Sequence, residues 1–323
     1  MTNASAAPFS IAICTYNRPV ELERCLESLV KDLRGRRIPV LVVDNCPSKP
    51  EVAAVAARFA DRLALRHEAE PRAGLSVARN RAIAAADTPW IVYLDDDAVV
   101  VEGWTDAVLG CINRGAELFG GPYRSFFAET PPSWFRDAYG SAMTSWTEGP
   151  IPPERHISGG NMGWSTDLVR QLGGFPEDLG MVAGRVGLGE ETWLQNEARR
   201  LRPNLTTWFD PKMEMLHLVP RYKFAVSYWI RRQWMAGYQW QRTMENAPAG
   251  PSGGSGEGSA PGITNPVLRL LWHVADSFKI LGGFVIRDRS RYPTWQNYAV
   301  EVVAPKIHFW GMFRRFLEQK LGR

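Results

Sequence analysis

The first hundred residues alternate between short apolar runs and segments whose apolar positions repeat at helical spacing, and this alternation leaves few folds open. Phe9 to Cys14, Ile38 to Val43, Leu63 to Arg66 and Trp90 to Leu94 are bounded runs that read as strands. Between them, Leu22, Leu26, Leu29, Val30 and Leu33 recur at helical spacing, and Val52 to Phe59 and Leu75 to Ala86 are Ala-rich helix formers. A βαβαβαβ run with short connections predicts parallel strands whose crossover helices cover both faces of the sheet. The expected fold class is α/β: a Rossmann-like, mostly parallel sheet with helices on both faces, followed by a mainly helical C-terminal extension.

The fourth run ends in three carboxylates, Asp95-Asp96-Asp97. Ligands of open α/β sheets bind beyond the C-terminal ends of the strands. Carboxylates crowded there repel one another unless a cation joins them, and hard oxygen ligands suit Mg²⁺ or Mn²⁺. A divalent ion so held can bridge phosphates, so the triplet points to a nucleotide-diphosphate site rather than to a solvated acidic turn.

Other nucleotide chemistries are disfavoured. Neither GxGxxG nor GxxxxGK[ST] follows the first strand, where the chain reads Thr15-Tyr16-Asn17-Arg18-Pro19 without a glycine. A dehydrogenase or P-loop enzyme therefore does not fit. The net charge of +4 is too mild to argue for nucleic acid. Cys14, Cys25, Cys46 and Cys111 form no CxxC pair and read as free thiols in a reducing compartment. Residues 1–8 have neither a basic nor an apolar leader segment, and no stretch reaches 18 apolar residues. The expectation is a cytoplasmic protein, with the inner face of the membrane as a second station.

Three domain-level segments follow from composition. Residues 1–245 form the expected catalytic domain. Within it, Gly120 to Gly163 is irregular and rich in aromatics (Phe126, Phe127, Trp134, Phe135, Tyr139, Trp146), which suit platforms for sugar rings or a small satellite cluster covering the sheet. Residues 246–262 hold 12 Pro, Gly or Ser in 17 positions and read as a flexible linker. Residues 263–323 carry 10 basic against 4 acidic residues and many aromatics. That composition suits peripheral membrane contact, or helices packed on the catalytic domain or on a second subunit of an oligomer. Arg231 and Arg232, on a helix pattern from Tyr222 to Arg242, suit either a diphosphate or a membrane surface.

Several motifs stand in register. Ser10-Ile11-Ala12-Ile13-Cys14-Thr15-Tyr16-Asn17-Arg18, Val42-Val43-Asp44-Asn45, Gly74-Leu75-Ser76-Val77-Ala78-Arg79-Asn80 and Tyr93-Leu94-Asp95-Asp96-Asp97 come first. Gly159-Gly160-Asn161-Met162, Gly173-Gly174-Phe175-Pro176 and Gly189-Glu190-Glu191 come later. Together, over roughly residues 9–220, the chain resembles family 2 glycosyltransferases. The resemblance implies a GT-A fold, a nucleotide-sugar donor, Mn²⁺ or Mg²⁺ as cofactor, and inversion at the anomeric centre. Uridine is the base that the family suggests.

The resemblance also distributes roles. Asp44 would meet the nucleoside, with Thr15, Tyr16, Asn17 and Arg18 lining the base pocket and Arg79 near the nucleotide. Asp97 would ligate the metal, with Asp95 toward ribose and metal waters, Asp96 orienting water or sugar, and His217 completing the sphere. Trp164 and the Gly159-Gly160-Asn161 turn would face the donor sugar. Glu191 would be the base that takes the acceptor proton, with Glu190 as understudy or acceptor clamp; Glu stands where many relatives carry Asp.

The expected function is metal-dependent, inverting transfer of a sugar from a nucleotide-diphosphate sugar to a hydroxyl of a glycan or lipid-linked acceptor, in polysaccharide or glycoconjugate synthesis. Two alternatives remain at this stage. One is a sugar-phosphate nucleotidyltransferase, disfavoured by the lack of a glycine-rich basic loop after the first strand. The other is a non-catalytic glycan- or nucleotide-binding module on the same fold, which Glu191→Gln separates from an enzyme.

Overall fold

The computed structural model describes residues 7–182, 186–247 and 266–322. The N-terminal half follows the expected alternation. It runs β1 (Phe9–Thr15), α1 (Pro19–Leu33), β2 (Pro39–Asp44), α2 (Glu51–Phe59), β3 (Ala64–Ala69), α3 (Leu75–Ala85), β4 (Trp90–Leu94), β5 (Ala98–Val100) and α4 (Trp104–Asn113). Next come β6 (Leu118–Gly120), β7 (Tyr123–Phe126), a short α5 (Asp137–Gly140), β8 (Asn161–Ser165), α6 (Thr166–Gln171), α7 (Glu190–Leu201), β9 (Thr207–Phe209) and β10 (Met215–Leu218). A 3₁₀ turn (Arg221–Phe224) leads into α8 (Val226–Thr243). The C-terminal part consists of α9 (Pro266–Ile286), α10 (Trp295–Tyr298), a π turn (Ala299–Val303) and α11 (Ala304–Leu321).

The main sheet has the order β3-β2-β1-β4-β8-β6-β9. Strands β1 to β4 are mutually parallel, whereas β8 runs antiparallel between β4 and β6. Strand order therefore reverses at β1, whose neighbours are β2 and β4, and the crevice for a ligand lies beyond the C-terminal ends of β1 and β4. Thr15 forms one lip and the aspartate triplet the other.

Apolar clusters lie on both sides of this sheet, as the alternation predicts. Leu22, Leu26 and Leu29 of α1, Val55 and Phe59 of α2 and Trp104 and Val108 of α4 pack on one face. Ala78 and Ala82 of α3, Leu168 of α6 and Leu194 of α7 pack on the other, together with Trp164. Helix α1 begins with Pro19 in its first turn, where a missing N–H loses nothing. A second sheet, β5-β10-β7, carries His217 on its central strand up to the acidic turn.

Two alternatives that the sequence leaves open are decided here. The aromatics of the irregular stretch do not form an open sugar platform: Trp134, Phe135, Tyr139 and Phe127 cluster with Phe224, Trp229, Val219 and Val300. Trp146 packs on Phe209 at 5.3 Å between centroids. Apolar rings with apolar partners in reach bury one another.

The region after the linker packs on the catalytic part rather than trailing from it. Helices α8 and α11 approach to backbone contact, since a Cβ on Gly237 would fall 1.9 Å from the His308 carbonyl oxygen and one on Gly311 2.2 Å from that of Trp234. Tyr238 donates to Glu318 at 2.6 Å across the same seam. The linker lies outside the described residues except for Asn246 and Ala247. Among the described residues no helix is long and apolar enough to cross a membrane.

Candidate active site

Each site residue is delivered by the end of an element. Thr15 closes β1 and donates to Asp96 Oδ2 at 2.7 Å. Asn17 takes a left-handed backbone, φ 52°, which turns the chain so that Arg18 reaches back across the crevice. The Arg18 guanidinium then forks, one nitrogen on Asp96 Oδ1 at 2.7 Å and the other on Asp97 Oδ2 at 2.8 Å. Tyr16 stays exposed beside it.

The triplet is a turn, not an extended segment, because the Ala98 N–H bonds back to the Asp95 carbonyl at 3.1 Å. The convergence of Asp95 and Asp97 therefore comes from the turn and not from strand alternation. Asp96 points away, buried against Thr15 and Arg18, where it holds the turn instead of orienting substrate. Burial pushes its carboxyl up to about 7 against the pull of Arg18.

Asp95, Asp97 and His217 bring one ligand atom each to within 4.8 Å of one another. His217 Nε2 stands 3.5 Å from Asp97 Oδ1, and its buried Nδ1 has no hydrogen-bond partner among the described residues. Burial holds the imidazole below its ordinary value, hence neutral, which is the form that ligates. Burial also opposes ionisation of Asp97, yet its carboxyl lies below the usual range because neighbouring positive charge outweighs that cost. With His217 neutral, Arg18 and then Lys223 supply that charge. Two carboxylates and a neutral imidazole with an orphaned nitrogen fit Mn²⁺ or Mg²⁺.

The glycine pair before β8 makes room for this cluster. A Cβ on Gly160 would fall 2.0 Å from Asp95 Oδ2, and one on Gly159 2.6 Å from Arg79 Nη2. The Gly160 carbonyl accepts from Asp95 N at 3.1 Å. Close backbone approach is realised, but toward the protein's own side chains.

Neither Asn161 nor Trp164 faces the donor crevice as expected. Asn161 is fully buried, accepting from Trp104 Nε1 at 2.9 Å and donating to the Pro122 and Met213 carbonyls at 3.2 and 2.6 Å. Trp164 is fully buried further along β8, opposite Ile91 and Leu118. Both are scaffold. Asp44 is likewise fully buried, accepting from Cys46 N at 2.9 Å and lying 3.3 Å from His67 Nε2.

Arg79 also departs from its expected place. It is buried and donates to Glu190 Oε1 at 2.7 Å, with Asp95 Oδ1 at 4.0 Å on its other side. Its guanidinium lies 5.2 Å from the Phe175 ring and 5.8 Å from the Tyr93 ring. An Arg in this setting ties the acidic turn to α7 rather than meeting a nucleotide. Helix α7 starts after Gly189, whose φ of 97° lets the chain turn sharply into it. Glu190 and Glu191 occupy its first turn, where the helix dipole favours carboxylates. Burial, and next the Glu190 charge, push Glu191 up to about 8.

Sequence reasoning missed four residues. Burial lowers the Lys223 ammonium, while Asp97 and Asp95 oppose that shift, so it lies within electrostatic reach of the acidic turn. Tyr123 lies 5.2 Å from the His217 ring, and its raised hydroxyl, shifted mainly by burial, senses Arg232, Asp95 and Glu191 together. Tyr222, more than half exposed, lies within electrostatic reach of Arg18, Asp97 and Asp96. Ser158 lies close enough to Tyr123 to influence its hydroxyl. These residues come from the second sheet, the loop before β8 and the 3₁₀ turn, where nothing in the sequence marks them. Arg232, a diphosphate candidate by sequence, lies within electrostatic reach of Tyr123 and Lys223.

Residues 10–166 match the model of glycosyl transferase family 2. Succinoglycan biosynthesis protein ExoM of Rhizobium meliloti is 29% identical over 147 residues, 44% of this chain and 47% of that protein. The chain thus spans about half the length of the curated relative it matches. Among solved structures, the mannosyltransferase PcManGT of Pyrobaculum calidifontis, in complex with GDP-Man and Mn²⁺, superposes with a TM-score of 0.60 at 17% identity. That match covers 96% of this chain and 87% of the other. TarS 1-349 of S. aureus, in complex with UDP-GlcNAc, gives 0.52 at 15% identity, covering 98% and 92%. The fold is GT-A.

Proposed function

From the match of residues 10–166 to the model of glycosyl transferase family 2, we infer a metal-dependent, inverting glycosyltransferase. It passes a sugar from a nucleotide-diphosphate sugar to a hydroxyl of a glycan or lipid-linked acceptor. The observation that carries this reading is the meeting of Asp95, Asp97 and His217 at the switch-point crevice, with Glu191 across Arg79 from them. The relatives' complexes with GDP-Man and UDP-GlcNAc support a nucleotide-sugar donor without choosing its base. A relative named for succinoglycan biosynthesis supports a role in polysaccharide synthesis.

When bound, the divalent ion supplies charge neutralisation for the departing diphosphate. The chain's own residues do the rest. Lys223 and Arg232 present cations to the phosphate oxygens. Glu191 accepts the acceptor hydroxyl's proton as that oxygen attacks the anomeric carbon from the face opposite the diphosphate. The diphosphate leaves with the bonding pair, and the centre inverts. Glu190, tied to Arg79, fixes the start of α7 so that Glu191 faces the crevice.

A second reading has one observation in its favour. Lys223 and Arg232 have no carboxylate partner within ion-pair distance among the described residues, so these cations could hold the diphosphate without metal. A thermal-shift panel of nucleotide diphosphates with Mn²⁺ or with chelator decides between them, because a ligand of the native state raises Tm. Stabilisation that survives chelation selects the second reading; stabilisation that needs Mn²⁺ selects the first.

A further inference from the structure

Helix α9 is apolar on two opposite faces, and only one of them has a partner. Inward, His273 stacks on Phe309 at 3.5 Å, Ser277 Oγ accepts from Trp310 at 3.3 Å, and Tyr298 donates to the Ile280 carbonyl at 2.9 Å. Outward, Leu271, Phe278 and Val285 recur every seven residues, with Ala275 and Gly282 between them and Ile286 at the end. Leu271 is 57% exposed, Phe278 70%, Val285 79% and Ile286 82%. A helix apolar all round is normally covered all round, so this stripe marks an interaction surface.

Among the described residues nothing covers it. Residues 1–6 and 248–265, outside the described part, include a single large aliphatic residue beyond the initiator Met1, namely Ile263. The rim of the stripe identifies the partner's charge. Asp276 is paired with Lys306 at 3.0 Å, and Asp288 spends an oxygen on Ser290 and Arg291. Lys279, Arg287 and Arg289 have no carboxylate partner among the described residues. Trp295, half exposed, stands beside the C-terminal end of the stripe, 6.5 Å from the Phe284 ring. An apolar stripe rimmed by cations with a tryptophan at its edge is complementary to the headgroup–acyl boundary of an anionic bilayer. A second copy of the same face would set Lys279, Arg287 and Arg289 against their own copies, with Asp288 the one rim carboxylate outside an ion pair among the described residues.

We propose that the outer face of α9 docks the protein on an anionic membrane surface, lying in its plane rather than crossing it. The proposal needs neither the metal nor the donor chemistry, so its failure leaves the transferase reading untouched, and the reverse holds as well. The test is sedimentation of the full chain with vesicles of phosphatidylcholine alone and of phosphatidylcholine mixed with phosphatidylglycerol. Wild type is expected to pellet with the anionic vesicles, and Phe278→Ser/Val285→Ser to partition at least ~10-fold less. Lys279→Gln/Arg289→Gln, which leaves the apolar stripe intact, is expected to bind anionic vesicles more weakly and with a flatter salt dependence. Equal partitioning of all three proteins overturns the proposal. So does a wild-type dimer in sedimentation velocity that the serine variant splits while neither protein binds vesicles.

Discussion

Arg79 and Glu190 form a buried ion pair, 2.7 Å from Nη1 to Oε1, with side chains only 4% and 6% exposed. This pair joins the helix that leads into the acidic strand to the helix that bears the proposed base. Removing one partner strands the other charge. Arg79→Met is therefore expected to destabilise the fold by about 3–5 kcal/mol, read as a lowered denaturation midpoint. Arg79→Met combined with Glu190→Gln should recover much of that loss. A single variant as stable as wild type would deny the pair its structural role.

Gly160 leaves Asp95 no room to accept a side chain at that position. Gly160→Ala must move the carboxylate, because a Cβ at 2.0 Å is far inside contact distance. The expected result is Mn²⁺-dependent nucleotide affinity weakened by about tenfold or more, roughly 1.4 kcal/mol by calorimetry. Unchanged affinity would place Asp95 outside the metal site.

Glu191 must be deprotonated to act as base, and its pKa is raised to about 8 by burial and by Glu190. kcat/KM is therefore expected to climb as pH rises through that value. Stability should move the other way: the folded state holds a proton that the unfolded state releases, so stability falls from the ordinary carboxylate range up to about 8. Glu191→Gln should lower turnover by about 100-fold or more while donor binding persists. Full turnover in that variant would remove Glu191 from the reaction.

Asn161 satisfies three buried groups. Asn161→Ala leaves Trp104 Nε1 and the Met213 carbonyl without partners, while the Pro122 carbonyl keeps the Met215 N–H, and a loss of about 3 kcal/mol is expected in urea unfolding. Nucleotide affinity at a temperature where the variant is folded should be unchanged. A specific loss of donor affinity would restore Asn161 to the binding site.

The sheet was legible because its strands are bounded runs separated by helical periodicity, and β4 fell at the predicted residues. The acidic turn was legible from its position after that strand, and His217 arrives beside it on β10. What the sequence could not convey was direction. Arg79, Asp44 and Asn161 are polar residues at strand ends or in a helix, equally suited to a ligand or to buried internal partners, and the structure gives them internal partners. Lys223, Tyr123 and Tyr222 reach the crevice from separate elements that converge only in three dimensions. The tail's aromatics resisted reading for a related reason. Those of α11 include Phe309 and Trp310, which pack on α9, whereas Phe278 faces outward, and composition is the same either way.

Everything turns on whether Asp97 and its neighbours grip a cation that in turn grips a diphosphate. Calorimetric titration of UDP and of GDP, with Mn²⁺ and with chelator, into wild type and Asp97→Ala tests this directly. For wild type, one of the two nucleotides should bind at least ~10-fold more tightly with Mn²⁺, and that gain should vanish in the variant. Affinities that ignore both the metal and the substitution would contradict the account.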